Sequence, residues 1–325
     1  MSKKNTQAQT ASAETANVKK VYDFCAKKKV ILGILIGVLA ALVIGIIARG
    51  VDLAIEFKGG TIISYTYQGD VDTKAVSDTV KSIVNTSITV RTGESLDSDA
   101  KQITISFTSN EGLTADRQTE LTNALRENFA DNDFALYDSN DVAPTSGREF
   151  LLKCLVAVIF AAIVVIIYIA IRFRNIGGWS AGVCSGFALL HDILVAVTVT
   201  ILFGFEFNSN LVAVILTILG YSINNTIVIY DRIREDRKLM PKASLDELIN
   251  VSCTQSLTRS IRTSITTIST MLIVTIVVLI KGYDSLLSFS VPLMFGLISG
   301  TYSSLFVAPV TWSWWKNKQA KKSSK

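Results

Sequence analysis

The chain has 325 residues, 49% of them hydrophobic and 18% charged, with a mean hydropathy of +0.41 and a formal net charge of +5. That mixture describes a membrane protein with a sizeable water-exposed part and not a bundle wholly buried in lipid. A single histidine excludes a His-Glu-x-x-His zinc protease, the lack of a Cys-x-x-Cys pair removes a thiolate metal site, and the lack of a Gly-Lys dipeptide excludes a P-loop nucleotide site.

Met1 to Asn17 is rich in Ala, Thr, Ser and Gln and reads as disordered. It opens a tail, residues 1–29, that ends in Lys27, Lys28 and Lys29. Residues 30–48 form the first transmembrane helix, the apolar run Val30–Ala48. Its 19 residues are long for a signal sequence and no small-residue cleavage site follows, so it reads as an anchor.

Residues 49–149 carry their own pattern. Thr61–Tyr67 is β-branched and aromatic, Val71–Val84 repeats apolar residues at helical spacing, and Ser87–Arg91 and Gln102–Thr108 alternate like paired strands. Ala115–Phe129 is helical again with Thr114 as N-cap, and Phe134–Tyr137 closes as a short strand. The order β-α-β-β-α-β predicts a small α+β ferredoxin-like domain, a fold that hosts many functions.

Five further spans follow within residues 150–311, namely Phe150–Ile171, Ala181–Phe205, Leu211–Ile229, Thr263–Ile280 and Leu286–Pro309, so the fold class is a six-helix integral membrane protein. Lys and Arg flank span one on its N-terminal side and follow spans two, four and six, whereas the loop between spans three and four has none. By the positive-inside rule both termini are cytoplasmic and residues 49–149 are extracytoplasmic. That segment holds 9 Lys and Arg against 17 Asp and Glu, so the basic excess lies on the cytoplasmic side and fits anionic membrane lipid, not nucleic acid. Cys25, Cys154, Cys184 and Cys253 all lie outside it and form no disulfide framework.

The cytoplasmic connection 231–262 contains a capping box, Ser244 with Glu247, that opens a helix at Leu245 lying along the membrane surface. In the basic tail 312–325, Trp312, Trp314 and Trp315 beside Lys316 read as an interfacial belt. Gly33 and Gly37, Gly182 and Gly186, and Gly296 and Gly300 are spaced for close helix packing.

Polar groups inside the spans are the functional candidates, because an unpartnered amide or carboxylate in hydrocarbon is expensive. His191 and Asp192 sit near the middle of span three, either as an ion relay or as a packing pair. A Ser–His–Asp triad would have to use these adjacent residues, which point about 100° apart on a helix, so the chain is read as no enzyme and as needing no cofactor. On span four, Thr217, Tyr221, Asn224, Asn225 and Val228 share one broad face, and Asn225 is placed at the depth of Arg259 on span five. Asn225 can accept from Arg259 but cannot take or release a proton. Asp231, Arg232, Arg234 and Glu235 are placed at headgroup level as a solvated helix end.

These residues resemble the SecF family of the bacterial SecD–SecF accessory complex, relatives of the resistance-nodulation-division transporters. Glu56-Phe57-Lys58-Gly59-Gly60-Thr61 is similar to the family's Asp-Phe-x-Gly-Gly-Thr, with Glu for Asp, and Ala188–Asp192 is similar to its Ala-x-x-His-Asp. Gly220–Glu235, with Asp231 and Arg232, resembles the family's Gly-Tyr-Ser-x-Asn-Asp motif and its charged end, and Asn250–Arg259 resembles the segment with the span-five arginine. The resemblance implies a subunit of the bacterial cell membrane that associates with SecD and the SecYEG channel. It implies that the subunit uses the proton motive force to draw preproteins across after the ATPase SecA has acted. The relay residues it carries over are an aspartate at position 225 and Arg259, but position 225 is Asn225. Three readings follow. In the preferred one the coupling carboxylate lies on the partner, and Asn225 and Arg259 shape the path. In the second, sodium is held by neutral oxygens of Asn225, Asn224, Thr226 and Tyr221. In the third the chain is an uncoupled structural subunit. A lipid or small-molecule exporter half of the same superfamily is the competing class.

Overall fold

In the computed structural model, residues 21–84, 86, 88–94, 101–108 and 113–323 are described. The expected disordered stretch 1–17, and Ser87 of the second expected strand, lie outside them. Among the described residues six helices are long and apolar enough to cross a membrane. They are α1 (Lys28–Arg49), α5 (Pro144–Arg172), α6 (Gly178–Phe203), α7 (Ser209–Leu239), α8 (Leu245–Lys281) and a last composite helix. The composite consists of α9 (Asp284–Tyr302), a π-helical segment Ser303–Val307 and α10 (Ala308–Ser323). Proline at the first turn starts α5, and side-chain caps from Asn208 and Ser244 start α7 and α8.

Between α1 and α5 lies the predicted α+β unit: α2 (Ile55–Lys58), β1 (Gly60–Tyr67), α3 (Thr73–Val84), β2 (Ile88–Glu94), β3 (Lys101–Phe107), α4 (Ala115–Asn128) and β4 (Ala135–Val142). The sheet is antiparallel in the order β2-β3-β1-β4, as a β-α-β-β-α-β chain requires when both helices cover one face. Alternation does the work: Ile63, Tyr65, Ile103, Ile105 and Phe107 point to Val76 and Val80 of α3 and Leu121 and Leu125 of α4. Thr114 caps α4 as expected. The last strand is longer than the expected Phe134–Tyr137 and starts one residue later, because it is an exposed edge whose sequence has no apolar alternation. Phe134 instead stacks on Tyr67 at 5.7 Å in the core.

The unit is tied to the bundle at one pole. Leu53 forms a parallel bridge to Phe207, with Ala54 N–H donating to Phe207 O (3.0 Å) and Phe207 N–H to Asp52 O (2.7 Å). The Ser209 amide, at the start of α7, donates to Glu56 Oε2 at 3.0 Å, and Arg91 of β2 pairs with Glu206 at 3.1 Å. The paired glycines of the Phe57–Gly60 motif have a physical reason here. Gly59 has φ +85° and its missing Cβ would lie 2.5 Å from Pro144 Cα, while Gly60 has φ +143° and would meet Phe107 O at 2.3 Å.

Four expectations need correction. Span three ends at Phe203 rather than Phe205, where Gly204 closes α6. The connection after span four is no surface helix. Instead α7 runs on to Leu239, the chain turns over 240–244, and α8 is one 37-residue helix from the Ser244 cap through span five. The charged residues there are helical extensions, so an unbroken backbone hydrogen-bond ladder carries them past the apolar run. Trp312 is not interfacial: it is 1% exposed and donates to Ser180 Oγ at 2.9 Å, while Trp314 and Trp315 are exposed. Of the three glycine pairs, Gly182 and Gly186 meet Ile166, and Gly296 and Gly300 meet Ile218 and Ser222, but Gly33 and Gly37 touch nothing within 4 Å.

Candidate functional site

Asp192 lies 14 residues from the start of α6 and 11 from its end, so it sits near the middle of the bundle with no exposure. A carboxylate there would be ruinous if left bare, and the chain supplies hydroxyls. Ser299 of α9 donates to Asp192 Oδ1 at 2.6 Å; Ser222 of α7 and Ser303 of the π segment donate to Oδ2 at 2.8 and 2.6 Å. His191 is 3% exposed, with Nδ1 3.3 Å from Asp192 Oδ1 and 3.3 Å from Ser299 Oγ, while its Nε2 has no partner among the described residues. The helices come this close because they carry glycine where they cross: a Cβ on Gly296 would sit 2.1 Å from Ile218, and one on Gly300 3.4 Å from Ser222.

From this carboxylate a seam of hydroxyls continues along α7. Ser304 donates to Ser222 O (3.0 Å), and Thr226 lies 3.1 Å from Ser304 Oγ. Beside it, Tyr221 and Thr301 both donate to Ser264 of α8, at 3.0 and 2.8 Å. The π segment shapes this seam: the Ala308 amide bonds back five residues to Ser303 O, the widened turn that π geometry makes and that marks functional sites.

The sequence candidates divide. Asp192, His191, Tyr221 and Thr226 are brought together by the seam. Asn225 is 4% exposed with its Nδ2 unpartnered among the described residues, whereas the adjacent Asn224 is exposed. Asn225 and Arg259 do not bond one another. Asn225 is on the buried side of α7, and Arg259 lines an open cleft with Val228, Asp231, Thr254 and Gln255, about a turn further along. Arg259 makes no ion pair among the described residues. Gly220 is exposed with nothing within 4 Å, and Phe57 is buried against Phe150.

Of the charged end of the span-four motif, Glu235 is exposed as a solvated helix end would be, whereas Asp231, Arg232 and Arg234 are half-buried and paired. Asp231 pairs with Arg172 of α5 (3.2 Å) and Arg234 (2.8 Å), and Arg232 Nε donates to Gln255 of α8 at 2.6 Å. Asp236, wholly buried, accepts from Ser252 at 2.7 Å and lies 3.4 Å from Arg232. The motif therefore clamps α5, α7 and α8 at the pole opposite the sheet.

Residue-type reasoning missed Ser222, Ser299, Ser303 and Ser304; the four-residue spacing of Ser299 and Ser303 in an apolar run was the available signal. It also missed Glu206 and Arg91. Burial pushes the Glu206 carboxyl above its ordinary range, and the neighbouring Arg91 opposes that only in part. Among the described residues no three His, Cys, Asp or Glu side chains converge to hold a metal ion. The site's chemistry is that of one carboxylate, one imidazole and a chain of hydroxyls.

Comparison with known proteins places this geometry. A family model described as protein export membrane protein SecD/SecF, C-terminal, matches residues 121–318. The protein translocase subunit SecF of Petrotoga mobilis is 32% identical over 289 residues, which is 88% of this chain and 93% of that one. The fused translocase subunit SecDF of Bacillus subtilis is 41% identical over 186 residues, 56% of this chain and 24% of that one. The crystal structure of SecDF, a translocon-associated membrane protein from Thermus thermophilus, superposes with a TM-score of 0.75 at 27% identity. That superposition covers 93% of this chain, which spans only 39% of the longer SecDF chain. The six apolar helices are thus those of a multi-pass membrane protein, and the chain belongs to the SecD/SecF family of protein-export membrane proteins.

Proposed function

We propose that the chain is the SecF-type subunit of a protein-export accessory complex. With a SecD-type partner it uses the ion gradient across the cell membrane to draw preproteins out of the SecYEG channel after the ATP-driven SecA step. One observation carries this reading: α7 holds Ser222, Asn225 and Thr226 in or beside the buried seam, while its first amide is held by Glu56 of the segment that enters the sheet unit. A change of charge in the seam is thereby linked, through one rigid helix, to the unit outside the membrane. The subunit works as a transport component and not as an enzyme. Lys and Arg at the pole opposite the sheet keep both termini cytoplasmic and put residues 49–149 outside.

The partner follows from what this chain leaves bare. Thr217, Gly220 and Asn224 form an exposed polar face of α7, and Arg259 and Arg262 are exposed on α8. Amides and guanidinium groups at such depth need cover and counter-charge, which a SecD-type subunit supplies. Asn225 cannot bind a proton, so the carboxylate facing Arg259 comes from that partner. The test is export in inverted vesicles holding the complete translocase, under imposed proton and sodium gradients separately. Asn225→Asp is expected to change the pH or sodium dependence of late-stage export. If removing the subunit leaves export unchanged under either gradient, the proposal fails.

A further inference from the structure

We propose that His191 and Asp192 form a proton-holding site at the centre of the bundle, borne by this chain and separate from position 225. The site's existence stands on geometry alone; only its use in export rests on the function proposed above.

The first argument is charge. Asp192 has no exposure, and its three hydroxyl donors stabilise an anion without neutralising it. Arg49 of α1 lies against Gly204 and Lys316 of α10 against Gly177, the two ends of α6 and each roughly 20 Å from Asp192 at 1.5 Å per residue. On α5, Lys153 pairs with Glu149 and Arg172 with Asp231, again at helix ends. On α7 the charged residues Asp231 and Arg232 belong to the far clamp, and Tyr302 of α9 has its ring 5.9 Å from that of His191. His191 is therefore the one titratable group in contact with Asp192 among the described residues. A carboxylate taken out of water is costly even with hydroxyl donors around it, and His191 is the neighbour able to exchange a proton with it.

The second argument is the open nitrogen. With Nδ1 turned to Asp192 and Ser299, His191 Nε2 is buried and unpartnered. A proton arriving there forms the Nε2–H bond. The Nδ1–H bond then breaks as its proton passes to Asp192 Oδ1, and the ring is neutral again in the other tautomer. The carboxylate has become a carboxyl, and release runs in reverse: the O–H bond breaks as its proton returns to Nδ1, and the Nε2–H bond breaks as that proton returns to the carrier that delivered it. The third argument separates a proton from a metal ion. Ser222, Ser299 and Ser303 sit 2.6 to 2.8 Å from the carboxylate oxygens and donate into them, whereas a sodium ion needs their lone pairs turned to a common centre.

The test is infrared difference spectroscopy of the full chain in lipid nanodiscs, titrated with acid in H2O and D2O. A carboxyl C=O band that titrates, shifts in D2O, vanishes in Asp192→Asn and persists in Glu206→Gln is expected. Ser303→Ala, which removes one donor to the carboxyl group and is the milder variant, should shift the frequency of that band. No Asp192-dependent band, or a band frequency that Ser303→Ala leaves unmoved, overturns the proposal. So does a spectral change driven by sodium at fixed pH and abolished by Asp192→Asn, which assigns the site to a metal cation. If the band is found but Asp192→Asn exports normally, the proton site stands and its link to export falls.

Discussion

Replacing Glu56 by alanine should loosen the joint between the sheet unit and α7 without unfolding either. Glu56 Oε2 accepts from the amide of Ser209, the first residue of a 31-residue helix, at 3.0 Å. A hydrogen bond to a charged group contributes about 1.5–3 kcal/mol, and a carboxylate at a helix N-terminus about 0.3–1 kcal/mol, the two overlapping here. Glu56 is partly exposed, so about 2 kcal/mol is the expected loss. That energy corresponds to a roughly 30-fold rise in the open population, since about 1.4 kcal/mol is a factor of ten. Amide hydrogen exchange followed by mass spectrometry reads it directly. The amides of Ala54, Phe207 and Ser209 should exchange about 30-fold faster in Glu56→Ala, and only a few-fold faster in Glu56→Gln, which keeps an acceptor. The β3 amides of Ile103 and Ile105 should not change, because that ladder does not touch the joint. Exchange at the joint within about twofold of the parent would refute the reasoning, since the cap would then contribute nothing measurable.

Two further outcomes are expected. Trp312→Ala removes an indole that is 1% exposed, edge-on to Tyr230 at 5.6 Å and bonded to Ser180, and should cost about 3–5 kcal/mol in thermal unfolding in detergent. Trp314→Ala, at a 56% exposed position, should cost little; equal losses would return both to an interfacial belt. For Glu206 the sign follows from burial. A carboxyl held above its ordinary range binds its proton more tightly docked than undocked, so docking is favoured below the ordinary carboxylate range and weakens as pH rises through the docked value. Joint protection in hydrogen exchange should therefore fall as external pH climbs out of the acidic range, and Glu206→Gln should remove that slope. A slope of opposite sign would show that the Arg91 ion pair outweighs desolvation.

What was legible follows the range of each signal. The six spans and the β-α-β-β-α-β element order were readable because apolar run length and alternation are local properties, and the caps at Thr114 and Ser244 are fixed by a few consecutive residues. The edge strand Ala135–Val142 was only half legible, since exposure on both faces leaves no alternation to read. Trp312 reads like its exposed neighbours Trp314 and Trp315; only the tertiary position of Ser180 and Tyr230 puts it inside. Asp192 was conspicuous, but its three serines come from α7, α9 and the π segment, up to 111 residues away; the spacing of Ser299 and Ser303 marks a shared polar face, and nothing local says which carboxylate that face meets. Asn225 and Arg259 were matched by depth alone, and depth leaves the facing of each helix undetermined.

The composite last helix explains how the seam can exist at all. In a regular α-helix consecutive side chains point about 100° apart, so adjacent serines would serve different neighbours at different heights. Ser303 and Ser304 are both fully buried: the first donates to Asp192 on α6, the second to the Ser222 carbonyl on α7. The π turn that holds them widens the helix where Pro309 follows, a residue with no amide to continue a regular ladder. One turn earlier, Gly300 and Gly296 let Ser222 and Ile218 press in from α7. Close approach, local widening and small hydroxyl side chains are thus one device, which buries the carboxylate at the centre of the bundle while surrounding it with donors. A single methyl group at Gly296 would overlap the Ile218 side chain and displace it, loosening the fit of α7 against α9 one turn from where Ser222 meets Asp192.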